Sequence, residues 1–327
     1  MMKPAAGRRR SPLQRGAALL LAMIVLVLVA TATAGMVWQQ TRAVNVEAAE
    51  RARSQAAWIL NGALDWARLI LREDQRAGQQ NNKPHDHLGE PWAQPLAEAR
   101  LSAFLAADKD NNADSGPEAF ISGSIEDAQS RLNLRGLLDD SGKPVPQQVA
   151  ALERLVILAG APTDTAQRLV QALVDAHTGA TGDNPGGAPL RPSRLFDLAW
   201  SGLDEATLQR LAPYLDLLPT ATPINVNTAS REVIAAVIEG LDLGGAERLV
   251  QARARKPFER LEDVYAQLPP GTPQDPGRVS VNSSYFHVAG RLRLEERVLE
   301  ERSLLVRRDS RVEVLRRERR SFAWAQR

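Results

Sequence analysis

The chain has 327 residues, enough to bury a sizeable core, and carries 41 Lys plus Arg against 39 Asp plus Glu. Five of the positive charges (Lys3, Arg8, Arg9, Arg10 and Arg15) fall in the first sixteen residues with no acid among them. Removing these five from +2 leaves −3 for the remainder, which by charge is no polyanion binder. Cysteine is absent, excluding disulfides, thiol nucleophiles and thiolate metal sites.

From Ala17 to Val37 the sequence AALLLAMIVLVLVATATAGMV holds no charge. At a helical rise of about 1.5 Å per residue, a run of this length matches a hydrocarbon core of roughly 30 Å. The basic leader precedes it, which places residues 1–16 on the cytoplasmic side and the chain beyond Trp38 across the membrane. A cleaved secretory signal shares the basic start, the apolar stretch and an A-x-A site at Ala32-Thr33-Ala34, and the paired arginines also fit a twin-arginine signal. A plain uncleaved anchor is a further reading. From Ala17 to Ala77 there is no proline, and only Gly35 and Gly62 interrupt good helix formers. Ala52, Ala56, Ile59, Ala63, Trp66 and Ile70 recur at spacings of four and three, forming an apolar stripe. One helix is therefore predicted over 17–77, first membrane-spanning and then amphipathic, a continuity for which a signal peptide has no need.

Arg15-Gly16 directly before this helix resembles the cleavage junction of type IV pilin-like precursors. The resemblance implies that a prepilin peptidase cuts after Gly16 and that Ala17 is N-methylated. Leu21, Ile24, Leu28 and Val37 would then belong to the membrane anchor. The family usually has Glu at the fifth mature position, where this chain has Leu21. A charge at membrane depth costs about 2.5–3.5 kcal/mol or more unless paired. The family's Glu is thought to pair with the terminal amine of the subunit above, so a subunit with nothing above is served by an apolar residue. Loss of this Glu is a feature of the K-type minor pseudopilins of type II secretion systems.

Residues 78–95 read as a polar loop, in which His85 and His87 have no further metal ligands within reach by sequence. The acidic run 108–114 opens like a calcium loop. However, it has Ala113 and Ala119 where an EF-hand needs Gly and Glu, so it reads as an acidic turn. Phe120 to Leu134 reads as strand, turn and strand. Helices are predicted over 146–160, 163–177, 193–201, 204–213, 228–239, 243–254 and 260–268, with starts marked by Pro146, Thr163, Ser193 and Thr228. The Gly/Pro-rich run 179–192 separates two helical groups. From Val279 the pattern changes to period two, giving three or four antiparallel strands with one wet face. Glu295, Glu296, Glu300, Glu301, Glu313 and Glu318 interleave with the arginines there and oppose a continuous basic stripe.

The most distinctive string is Pro223-Ile-Asn225-Val-Asn227-Thr228-Ala229, followed by Ala252-Arg253 and Lys256-Pro257-Phe258. It is similar to the K-type pseudopilins and also to helix-hairpin-helix modules of DNA-uptake proteins. A membrane-anchored DNA receptor is thus the alternative. Such a module offers backbone N–H groups to a phosphate at a tight glycine turn. In this chain the turn, Glu239 to Gly245, carries Glu239 and Asp242 where a phosphate would sit. Asn225 and Asn227 are better read as shaping the turn and capping the helix near Thr228. No Ser-His-Asp motif, G-x-S-x-G, Walker A loop or HExxH occurs, and His177 and His287 stand alone, so no enzyme is expected.

The predicted fold is α+β: a pilin-like fold, with a long N-terminal helix and a small antiparallel sheet, carrying a large all-helical insertion. Its parts are a leader (1–16), the helix (17–77), the first part of the sheet region (78–134), the insertion (135–278) and closing antiparallel strands (279–327). The resemblance implies a single-pass inner-membrane protein with the bulk of the chain periplasmic. It also implies a role at the tip of the type II secretion pseudopilus, promoting its assembly and the export of folded proteins across the outer membrane. The implied partners are minor pseudopilins of the I and J types, the major pseudopilin and the prepilin peptidase, with no nucleic acid. No cofactor is expected. Calcium is associated with the family's insertion, but the corresponding region has only Asp175 and Asp183 as carboxylates, and no ligands are assigned.

Overall fold

Helix α1 runs from Pro12 to Gln80, a few residues beyond both ends of the predicted 17–77. The structure, a computed structural model, describes residues 12–81, 84–101, 119–181, 191–294, 297–309 and 311–323. The acidic run 108–114, residues 182–190 of the Gly/Pro-rich run, Glu295, Glu296 and residues 1–11 of the leader lie outside these. Contacts divide the chain into two compact units, Met1–Ile59 and Leu60–Arg327.

Within the second unit, the buried face of α1 is Leu60, Leu64, Ala67 and Leu71. This corrects the expected stripe, in which Trp66 faced inward; Trp66 is 52% exposed. Both series obey the helical period. The leucines make the deeper face because they fit flat against a sheet that a Trp at position 66 would hold away. Leu64, Ala67 and Leu71 pack with Trp92, Phe286, Val288, Leu305 and Val312 in one cluster, with Trp92 meeting Phe286 edge-on at 5.3 Å between ring centres.

The sheet has five antiparallel strands: β1 (Leu96–Arg100), β2 (Ala119–Asp127) and, after a long excursion, three more, in the order β1-β2-β7-β8-β9. Strands β7 (Tyr285–Leu294), β8 (Arg297–Arg308) and β9 (Arg311–Ala323) form the predicted closing meander. Their Phe286, Val288 and Leu305 face α1, as period two requires. Gly290 lies close beneath α1: a Cβ there would meet a methyl group of Leu60 at 3.1 Å, and the leucine would have to give way. On the α1-facing side Glu301 is buried. It is paired with Arg317 and Arg319, which also reach Asn61.

The excursion between β2 and β7 is a second core. It contains α2 (Pro146–Leu158), α3 (Thr165–Thr181), α4 (Glu205–Leu211), α5 (Arg231–Val237), α6 (Leu243–Arg255) and α7 (Leu261–Tyr265), with a 3-10 helix at Leu195–Ser201. Leu152, Leu155, Leu169, Leu208, Val233 and Ala246 are among its fully buried residues. Helix α4 is capped by Asp204, α5 by Ser230 and α6 by Asp242, each side chain accepting a backbone N–H. The helix predicted from Thr228 therefore starts later, at Arg231. Thr228 does not cap it because its hydroxyl donates instead to Asp127 at 2.6 Å.

Two short parallel pairs lie at the borders of this helical region. On entry, β3 (Leu132–Asn133) pairs with β4 (Leu215–Asp216), and on exit β6 (Val279–Ser280) pairs with β5 (Ile224–Asn225). Asn133 ties the first pair further, donating to Thr220 O at 2.7 Å and accepting from Leu218 N at 3.1 Å. Beside the other, Asn227 reaches Val281 O at 3.4 Å, and it also donates to Phe258 O and accepts from Phe258 N between α6 and α7, both at 2.9 Å. Replacing Asn227 with Ala removes its partner from both the N–H and the C=O of the buried Phe258. It should cost about 2–3 kcal/mol, read as a lower urea midpoint with unchanged slope for the full chain in detergent.

Candidate functional site

Gly16 and Ala17 lie within α1, and Leu21, Ile24, Leu28 and Val37 are exposed along it. The helix is long and apolar enough over this stretch to cross a membrane. Apolar side chains left uncovered over so long a run are what a lipid-facing surface requires. Thr31, Thr33 and Thr41 return their hydroxyls to carbonyls one turn back, so they add no unsatisfied donor.

The hairpin that would hold a phosphate in a DNA-binding module lies between α5 and α6. Gly240 makes the turn at φ +77°. The N-terminus of α6 is already occupied, because Asp242 Oδ1 accepts from Gly245 N at 2.7 Å. One of the backbone donors a phosphate would need is thus taken by a carboxylate of the chain itself. The isolated histidines have packing and pairing roles. The His177 ring sits against Gly142, where a Cβ would come within 2.3 Å of it. His287 on β7 meets Asp216 of the insertion at 2.5 Å, with Arg131 at 4.0 Å. Burial pushes the Asp216 carboxyl up, but the bond and charge of His287 outweigh it and hold the group below the usual range.

The densest polar arrangement joins the last turns of α1, the 84–93 segment, the base of the insertion and β8. Arg307 gives Nη1 to Asp74 at 3.0 Å and Nη2 to Asp86, with Nη2 also donating to Ser283 O at 3.0 Å. Its guanidinium lies 4.8 Å over the Phe286 ring. Asp86 also accepts from Ser283 N at 2.7 Å, and its own N–H donates to Val281 O. Next to it Asp127, at the end of β2, accepts from Ser283 Oγ and Thr228 Oγ1 at 2.6 Å, Gln129 N at 2.7 Å and Asn225 Nδ2 at 3.0 Å. Burial nevertheless raises the Asp127 carboxyl to about 6 against the pull of these donors. Asn225 thus serves the distinctive motif in two ways. Its amide bridges Asp127 to Asp86 O, and its oxygen turns the chain by accepting Asn227 N. The expected turn-shaping role is present; the helix cap belongs to Ser230.

Oxygens of Asp74, Asp86 and Glu90 lie within 4.8 Å of one another. Two of these three carboxylates already bind Arg307, so a guanidinium supplies the cation there. Sequence reasoning passed over Asp74, Asp86, Glu90 and Arg307. Their only signal was an acid beside a proline and histidines in a polar loop, and an arginine in a strand full of them. Asp175, the calcium-region residue that is described, is exposed on α3 and accepts from Gln171; Asp183 is outside the described residues.

Residues 130–220 and 224–282 both match the family described as Type II secretion system (T2SS), protein K. These stretches are the insertion with its two stitches. The Type II secretion system protein K of Pseudomonas aeruginosa is 32% identical over 304 residues, covering 87% of this chain and 86% of that protein. The protein of that name from Pectobacterium carotovorum subsp. carotovorum is 28% identical over 336 residues, covering 93% and 96%. A chain of the GspK-GspI-GspJ complex from the enterotoxigenic Escherichia coli Type 2 Secretion System shares the fold, with a TM-score of 0.63 at 20% identity over 83% of this chain and 98% of that one. The Pseudomonas aeruginosa protein matches over most of both lengths, and the chain belongs to the type II secretion system protein K family.

Proposed function

We propose that this protein works as the tip subunit of a type II secretion pseudopilus, anchored in the inner membrane with residues beyond Trp38 in the periplasm. The reading is carried by family membership together with the large helical core inserted between two neighbouring strands of a pilin-type sheet. In this role nothing is catalysed and no cofactor is needed. Subunits assemble through their helices, and a body enlarged by the insertion does not fit inside a repeated stack. It therefore closes the filament at one end, and assembly beneath it drives folded proteins out. The similar solved complex contains GspK, GspI and GspJ. By analogy the partners here are minor pseudopilins of the I and J types, with the major pseudopilin below.

Prepilin peptidase would cut after Gly16, leaving Ala17 as the methylated first residue and Leu21, Ile24, Leu28 and Val37 in lipid. Leu21 suits a subunit with no amine above it to neutralise. The mature protein should begin at Ala17 with a mass one methyl heavier; a start after Ala34 would mean secretory processing instead. Gly16→Leu should retain the leader and abolish secretion, and normal N-terminal sequence from that variant would refute the junction. Deleting 135–278 should leave membrane anchoring intact while co-purification with the I and J types is lost. A loss of DNA uptake with secretion intact would instead favour the receptor reading.

A further inference from the structure

Glu90 is the one carboxylate of the Asp74–Asp86–Glu90 group that Arg307 does not reach with a salt bridge among the described residues. Its Oε2 accepts from His87 N at 2.9 Å and from the buried Trp92 Nε1 at 2.7 Å, which fixes the carboxyl within its own segment, and its oxygens come within 4.8 Å of those of Asp74 on α1. Its other oxygen lies 4.0 Å from His87 Nε2. The charged and titratable groups around it are Asp74 from α1, His85, Asp86 and His87 from its own segment, and Arg307 from β8. Asp127 of β2 lies beyond Asp86 and is itself raised by the charge of Asp86, after burial. On α1, Arg76 is turned to Glu73 at 2.7 Å. Three carboxylates thus converge on one guanidinium in a half-buried place, and with all three ionised two like charges face each other without a counter-ion.

We propose that Glu90 and Asp74 share a proton, and that this proton is a latch holding the 84–93 segment on the end of α1, so that the junction tightens in acid and loosens in alkali. A protonated Glu90 donates to Asp74 and removes the excess charge. Burial is the main cause raising Glu90, to about 7, with the charges of Asp74 and Asp86 adding to it against the donors from His87 and Trp92. Burial and the charge of Asp86 also raise Asp74, against Arg307 and the bond from Glu90. Both are acids raised on folding, so the folded state binds the proton more tightly. The stabilisation is complete below the ordinary Glu value of 4.5 and is lost as pH rises to about 7. His87 does not compete for this role, because burial and the neighbouring His85 lower it. Since Asp86 is bonded to Val281 and Ser283, loosening the segment reaches the exit of the insertion.

The test is hydrogen exchange of the full chain in detergent with chelator present, corrected for intrinsic rates, at about pH 5.5 and about pH 8. Peptides covering 84–93 should be roughly tenfold more protected at the lower pH, while the insertion core around Leu152 stays constant. Glu90→Gln donates to Asp74 at any pH and should be equally protected at both. Equal protection of the wild type at the two pH values would overturn the latch, as would an undiminished difference in the variant. Protection restored at the higher pH by added calcium would also overturn it, by replacing the proton with a metal. If Glu90→Gln does not fold, Asp74→Asn decides in the same way, and a wild-type midpoint near 4.5 in place of about 7 would itself refute the proton.

Discussion

Strands β2 and β7 are hydrogen-bonded neighbours although residues 128–284 lie between them. Everything else depends on returning the chain to that place, because a sheet tolerates a long excursion only if its two ends are held together. The cost of closing a loop grows slowly with length, so a large insertion is affordable once the ends are fixed. The two parallel stitches, each two residues a side, do the fixing. Asn133 and Asn227 add side-chain bonds that a peptide ladder of that length lacks.

Between the stitches and the sheet, the contact is both polar and apolar. Tyr285, Leu304 and Val306 of the sheet meet Leu218 and Ala128 in a small dry cluster, while His287–Asp216 and Asp127–Asn225–Thr228 border it. Buried polar groups of this kind are costly when one partner is lost, and they hold only one register well. The arrangement sets the insertion at a defined position on the sheet.

The main elements were legible because periodicity is a local property: α1, the helices of the insertion and the closing strands all stand close to where their patterns put them. The face of α1 was read one position off, since two apolar series satisfy the same period and only the partner sheet chooses between them. The stitches and the start of α5 were hidden for a related reason. A two-residue strand has no period, and Thr228 looks like a cap until Asp127, a hundred residues away, claims its hydroxyl. The junction at Arg307 is non-local throughout, its acids coming from a helix end and a loop. The apolar stretch of α1, by contrast, is contiguous, and its length and composition are read directly from the sequence.

The sheet ends at β9, whose outer edge has no strand beside it among the described residues. Its second half reads Arg316, Arg317, Glu318, Arg319, Arg320. A second copy brought up to this edge would set mostly basic side chains opposite one another, which discourages a further strand from adding there. A chain built this way is a poor partner for itself.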